Sequence, residues 1–124
     1  MSYSENDKNT AVINCILKIA VESWRFISLF NTLLLKLDAG EKKRYVNQAQ
    51  WFSKKIKESL EEINLRIVNI EGQKFDPGMA ATPLNIDEFE LNDNLIVDKM
   101  LEPIIMGKDG IIKSGTVLLR KVEI

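Results

Sequence analysis

From Ala11 to Leu37 the chain carries no proline or glycine, and its polar side chains fall in one narrow stripe on a 3.6-residue helix. The stripe holds Asn14, Lys18, Glu22, Arg25, Thr32 and Lys36. Nearly every other position is apolar, including Val12, Ile16, Ile19, Trp24, Phe26, Ile27, Phe30, Leu33 and Leu34. A surface helix normally buries an apolar band only a little wider than a third of its circumference. This helix therefore needs cover on more than one side. Thr10 suits its N-cap, and Gly40 suits a left-handed residue just beyond its C-terminus.

A second helix is expected from Glu41 to Val68, with a different pattern. Tyr45, Ala49, Phe52, Ile56, Leu60, Ile63, Ile67 and Ile70 recur at spacings of four and three, a single seam. Lys54, Lys55, Lys57, Glu58, Glu61, Glu62 and Arg66 form the wet face between them. A connector of only Asp38-Ala39-Gly40 folds the helices into an antiparallel hairpin. One seam cannot cover the broad apolar surface of the first helix, so a second copy of the hairpin is expected, making a four-helix bundle in a homodimer. Trp24, Ile27, Phe30, Leu33 and Leu34 are the expected dimer interface.

The period changes after G-Q-K-F-D-P-G-M at 72–79. Asp76-Pro77-Gly78-Met79 suits a turn, with Phe75 leading into it. Residues 81–87 read as a short extended piece that Pro83 confines to a sheet edge or a strand start. Asn92-Asp93-Asn94 is a second turn. One strand is expected over Leu95–Met106 and another over Ile111–Val122, joined by a hairpin turn at Gly107-Lys108-Asp109-Gly110. The fold class is therefore α+β. A disordered N-terminus (1–10) precedes a helical hairpin (11–70) and a small β domain (71–124), with the break placed at Gln73–Gly78.

Strict alternation along residues 95–105 puts Leu95, Val97, Leu101 and Ile105 on the core face. Ile96, Asp98, Met100, Glu102 and Ile104 then share the wet face, with Met100 and Ile104 as apolar spots among acids. Such spots are either scattered surface hydrophobes or a partner-binding patch, methionine being adaptable at protein surfaces.

Composition narrows the chemistry. Seventeen basic against eighteen acidic residues give a net charge of −1, which argues against a nucleic-acid coat. The basic run Lys42, Lys43, Arg44, Lys54, Lys55 and Lys57 reads as a solvated helix face. There is no histidine, which removes the commonest general base and zinc ligand. The single cysteine, Cys15, lies among apolar neighbours and reads as a buried, inert thiol, in keeping with a reducing compartment. Charges at Lys18, Glu22 and Arg25 interrupt the most apolar segment, so no membrane span is expected. No signal peptide is visible, and a cytoplasmic protein follows. Gly107-Lys108-Asp109-Gly110 lacks the glycine spacing and the Ser or Thr of a phosphate loop. Neither a metal nor a cofactor is expected, and no cleft chemistry marks the chain as an enzyme.

The order of parts resembles the GrpE family, nucleotide exchange factors of DnaK-type chaperones. Gly72, Phe75, Asp76 and Pro77 match the family's entry turn. I-V-D-K-M at 96–100 is similar to its strand of alternating apolar residues with an acid, and I-I-K-S-G-T-V at 111–117 to its closing strand, with Lys113 at an arginine position. The likeness covers roughly residues 45–122. Ala80 stands where the family has histidine, and Pro103-Ile104 where it has Gly-Tyr. The chain resembles a short, divergent member without the long N-terminal stalk. The resemblance implies dimerisation through the bundle and a β domain pressed on a chaperone's nucleotide-binding domain, opening the cleft so that ADP leaves. Met100, Glu102, Ile104 and Lys113 would then form the contact. The alternative is a non-catalytic dimeric adaptor or assembly subunit binding another protein through its β domain.

Overall fold

The computed structural model describes residues 5–123. It is α+β, as the pattern predicts: helices α1 (Glu5–Leu34) and α2 (Ala39–Glu61) form a hairpin. Strands β1 (Arg66–Val68), β2 (Ala81–Pro83), β3 (Leu95–Glu102), β4 (Ile104–Gly107), β5 (Gly110–Lys113) and β6 (Gly115–Lys121) follow, with a 3-10 turn at Ile86–Glu88. The chain divides into two compact units between Ser59 and Leu60.

In the helical unit, α1 begins at Glu5 rather than after Thr10. The expected disorder of residues 1–10 is corrected for 5–10, where Asn6 to Thr10 continue the helix without a breaker; residues 1–4 lie outside the described residues. The connector also shifts. The last turn of α1 tightens into i→i+3 bonds, from Leu35 N–H to the Thr32 carbonyl (3.3 Å) through Leu37 N–H to Leu34 (3.2 Å). Asp38 then caps α2: its carboxylate accepts the Glu41 N–H at 3.0 Å, while its carbonyl accepts the Lys42 N–H at 2.9 Å. Gly40 is thus inside the first turn of α2 and not a left-handed terminator of α1, because the Asp-x-x-Glu spacing supplies an N-terminus first.

The expected helix over 41–68 ends early, at Glu61. Asn64 takes a left-handed φ of 61°. Leu65 N–H reaches the Leu60 carbonyl (2.9 Å) and Asn64 N–H the Glu61 carbonyl (3.0 Å), a Schellman motif whose accompanying apolar pair, Leu60 and Leu65, is buried. Ile67, continuing the helical spacing, lies instead on β1, which pairs antiparallel with β4 (Ile67 opposite Ile105). The domain break expected at Gln73–Gly78 is corrected accordingly: β1 belongs to the β unit, since its backbone groups are satisfied there.

The β unit contains two three-stranded sheets, ordered β1-β4-β5 and β2-β6-β3. Each long strand expected from the sequence turns a corner and changes sheet, the first at Pro103 and the second at Ser114. Proline cannot donate to a ladder, so the break at 103 is built in. The hairpin turn over 107–110 forms as expected, with Gly107 opposite Gly110 and Gly110 at φ 136°. β2, holding Pro83, is an edge strand paired parallel to β6. Gly115 sits buried inside the second corner. A Cβ there would come within 2.9 Å of the Glu102 carbonyl oxygen and of Met100 Cε, so only glycine fits without displacement.

Candidate interaction surfaces

Among the described residues no cluster of His, Cys, Asp or Glu could hold a metal ion, and no helix is long and apolar enough to cross a membrane. The informative features are surfaces, and the β unit corrects the most specific expectation about them. Met100 is 1% and Ile104 5% exposed, so neither belongs to a water-facing patch. The reason lies in β3. Its ladder with β6 slips between Val97 and Lys99 and again between Met100 and Glu102. Each slip inserts a residue, so alternation restarts on the opposite face. Asp98 and Lys99 both face water, and Met100 turns inward beside Val97.

Met100 is held there by its neighbours. Its sulfur accepts the buried Ile70 N–H at 3.3 Å, and its own N–H donates to Glu71 Oε1 at 3.0 Å. Glu102 is half-buried and accepts the Thr116 hydroxyl at 2.8 Å, while Lys113 is half-buried on β5. These two therefore do not share a surface patch with Met100 and Ile104.

The entry turn behaves as its residues dictate. Asp76 Oδ1 accepts the Gly78 N–H at 2.8 Å, and its carbonyl accepts the Met79 N–H at 2.9 Å, with Pro77 between. The segment before it lies along β3. Gly72 at φ 83° donates to Val97, Val97 donates back to Gln73, and Phe75 donates to Leu95, at 2.8 to 2.9 Å. Gly72, Phe75 and Asp76 are thus parts of one backbone element.

The large apolar side chains that face water on the β unit include Leu84, Ile86 and Leu91 on the β2–β3 connection, Ile111 and Ile112 on β5, and Ile63 ahead of β1. The connection is tied to the rest of the unit despite its exposure. Asn85 pairs with the Leu119 backbone, the Asp93 carboxylate accepts the Glu90 N–H at 2.9 Å, and Lys121 Nζ lies 3.4 Å from Asp93. The Glu90 N–H, ahead of Lys121, holds the Asp93 carboxyl below the usual aspartate range. Period counting missed Leu84 and Leu91 because neither lies on a helix or strand.

On α1 two apolar rows run side by side. Ile13, Leu17, Ala20, Trp24, Ile27 and Leu34 are buried or half-buried. The second row is exposed: Val12 57%, Ile19 58%, Phe26 63%, Leu29 62% and Leu33 52%. Of the expected interface residues, Leu33 lies on the exposed row, Leu34 is buried within the chain, and Trp24, Ile27 and Phe30 are half-buried. The Trp24 indole N–H is buried without a partner. Cys15, expected in the core, is exposed on the second row; the apolar neighbours that suggested burial belong to both rows. Phe26 stacks on Phe30 at 6.3 Å, and Phe30 meets the Tyr45 ring edge-on at 6.4 Å. Tyr45 and Phe52, each 38% exposed, carry the apolar strip onto α2, whereas Ala49 is buried and Ile56 half-buried. A spacing of seven residues through 12, 19, 26 and 33 was the available signal for the exposed row. Set against known proteins, this chain fits no protein-family model, and no curated protein or solved structure matches it.

Proposed function

We propose that the protein is a GrpE-like co-chaperone that acts in the cytoplasm, binds the nucleotide-binding domain of a DnaK-type ATPase and promotes ADP release, without bond-making chemistry of its own. The observation that carries this proposal is the entry turn. The residues of the resemblance, Gly72, Phe75, Asp76 and Pro77, form one element fastened to β3, inside the β unit that follows a helical hairpin. The exposed strip on the hairpin supports a homodimer.

With Met100 and Ile104 in the core, the chaperone contact moves to the apolar side chains that water reaches: Leu84, Ile86 and Leu91, with Ile111 and Ile112 beside Lys113. Exposed apolar side chains of this kind bind an open cleft better than a closed one only by differential contact. Preference of about 1.4 kcal/mol for the open state weakens nucleotide tenfold, and nucleotide weakens the factor equally.

The test is release of fluorescent ADP from a DnaK-type ATPase of the same cell, with and without the protein. Acceleration supports the proposal. No acceleration, with stable binding of some other protein through Leu91 and Ile112, leaves the dimeric adaptor in its place.

A further inference from the structure

We infer that the outer face of α2 is a docking surface for an anionic lipid bilayer, with Trp51 entering the headgroup region and four cations meeting the lipid phosphates. Bilayer binding of this kind is independent of the exchange activity. From Lys42 to Lys57 the chain carries six cations and no acid. A run of lysines on a helix is by itself only a wet face. What sets this one apart is Trp51, which is 60% exposed in its midst. An indole is a large apolar body that folded chains usually cover.

Helix geometry arranges the cations about the indole. At about 100° per residue, Arg44 and Lys55 lie on one flank of Trp51, and Lys43 and Lys54 on the other. All four are exposed, as are Asn47 and Gln48 one turn before the indole. Lys55 Nζ lies 5.7 Å from the centroid of the Trp51 ring. The Glu58 carboxylate lies 3.9 Å from Lys54 Nζ and 3.7 Å from Lys55 Nζ. Both pairs are exposed, and such pairs exchange partners at little cost. Four cations against this one acid leave the face positive. Phe52 and Tyr45 lie about 100° and about 120° round the helix from Trp51, so the apolar strip is a separate surface.

The occupant follows from charge and shape. Residues 1–59 carry ten basic against six acidic side chains, and residues 60–124 carry seven against twelve. An anionic surface attracts the first unit and repels the second. The crest of a helix is convex, and cations on both flanks of an indole match a charged plane. Tryptophan lodges at the bilayer interface, while lysine and arginine beside it extend their stems and place their charges at the phosphates. Contact of this kind lies in the plane of the headgroups and requires no spanning helix. Single-stranded nucleic acid suits the face less well. Its phosphates follow one line, and its bases need successive aromatic platforms, where this face offers one.

The experiment is co-sedimentation of the full chain with vesicles, either of phosphatidylcholine alone or of phosphatidylcholine and phosphatidylglycerol in equal parts. At about 0.05 M salt at least about tenfold more protein is expected on the anionic vesicles, and about 0.5 M salt should release it. Tryptophan emission should shift to shorter wavelength on the anionic vesicles. Trp51→Ala should abolish that shift, although Trp24 remains, and lower binding at least about threefold. Lys54→Glu combined with Lys55→Glu should lower binding at least about tenfold. Helical circular dichroism should be unchanged in both variants, because all three side chains are exposed. No binding to anionic vesicles at low salt overturns the inference, as does binding that both variants keep. An emission shift retained by Trp51→Ala overturns insertion of this indole. Oligouridylate serves as competitor: if it displaces the protein from vesicles at equal phosphate concentration, the face belongs to single-stranded nucleic acid and the lipid assignment falls.

Discussion

The side-chain amide of Asn85 acts as a further residue of the sheet: its Nδ2 donates to the Leu119 carbonyl oxygen at 2.9 Å, and its Oδ1 accepts the Leu119 N–H at 2.9 Å. β2 stops at Pro83, and Leu84 N–H still donates to Val117 (3.0 Å). The amide then satisfies the next backbone pair of β6 where no strand reaches. Asn85→Ala should cost about 1–3 kcal/mol, because Leu119 loses both partners in a part-buried site. Asn85→Asp should cost more, since a carboxylate oxygen would then face a carbonyl oxygen. A urea titration checks the order; Asp milder than Ala would exclude this role.

Gly115→Ala should destabilise the β unit by about 1–3 kcal/mol through overpacking. The new methyl would meet both Met100 Cε, which can move, and the Glu102 carbonyl oxygen, which is backbone. Adding Met100→Ala to Gly115→Ala should therefore give no rescue. Recovery of the unfolding midpoint in the double variant would show that the side chain alone sets the limit.

Met100→Asp should unfold the β unit, with a loss above about 4 kcal/mol for an unpaired buried charge. Met100→Leu keeps the volume and leaves the Ile70 N–H without the sulfur at 3.3 Å; a loss of about 1 kcal/mol is expected. Near-ultraviolet dichroism separates the two outcomes, and a folded, soluble Asp variant would contradict the burial of this side chain.

Leu91→Asp and Ile112→Asp lie on the exposed surface of the β unit, so each should change stability by no more than about 0.5 kcal/mol. Under the proposed exchange activity, each should slow chaperone ADP release at least about tenfold relative to the unchanged protein, by placing an unpaired charge in the proposed contact. Normal release by both would move the contact elsewhere on the β unit.

Asp93 gives a pH dependence of defined sign. Its carboxyl titrates below the ordinary value of 3.8, first because of the Glu90 N–H and then because of Lys121. Its contribution is complete above the unfolded-state pKa and is lost as pH falls through the lower folded-state pKa. Between about pH 5 and about pH 2, unfolding midpoints of the unchanged protein should fall more steeply than those of Asp93→Asn. Parallel slopes would remove Asp93 from the acid response.

Local chemistry alone determined much of this protein. The helical hairpin follows from apolar spacing, and the Asp76-Pro77-Gly78 turn, the 107–110 hairpin and the edge position of β2 follow from residues with few backbone options. The sequence also marked α1 as too apolar for one neighbour. Tertiary structure decided which face turned inward, because two rows one residue apart are equally apolar and only the placement of α2 selects between them. It likewise decided the end of α2. Ile63 and Ile67 continue the helical spacing, but Ile63 stays in the turn that ends α2, its N–H on the Leu60 carbonyl. Ile67, β-branched and suited to a strand, pairs with β4 once Asn64 turns left-handed. The faces of β3 were beyond any period count, since alternation presumes an unbroken ladder and each slip opposite β6 reverses it. Met100 and Cys15 changed places between core and surface for two different reasons: the slipped ladder turned Met100 inward, whereas on the regular helix α1 the apolar neighbours of Cys15 in sequence belong to both rows, of which only one is covered.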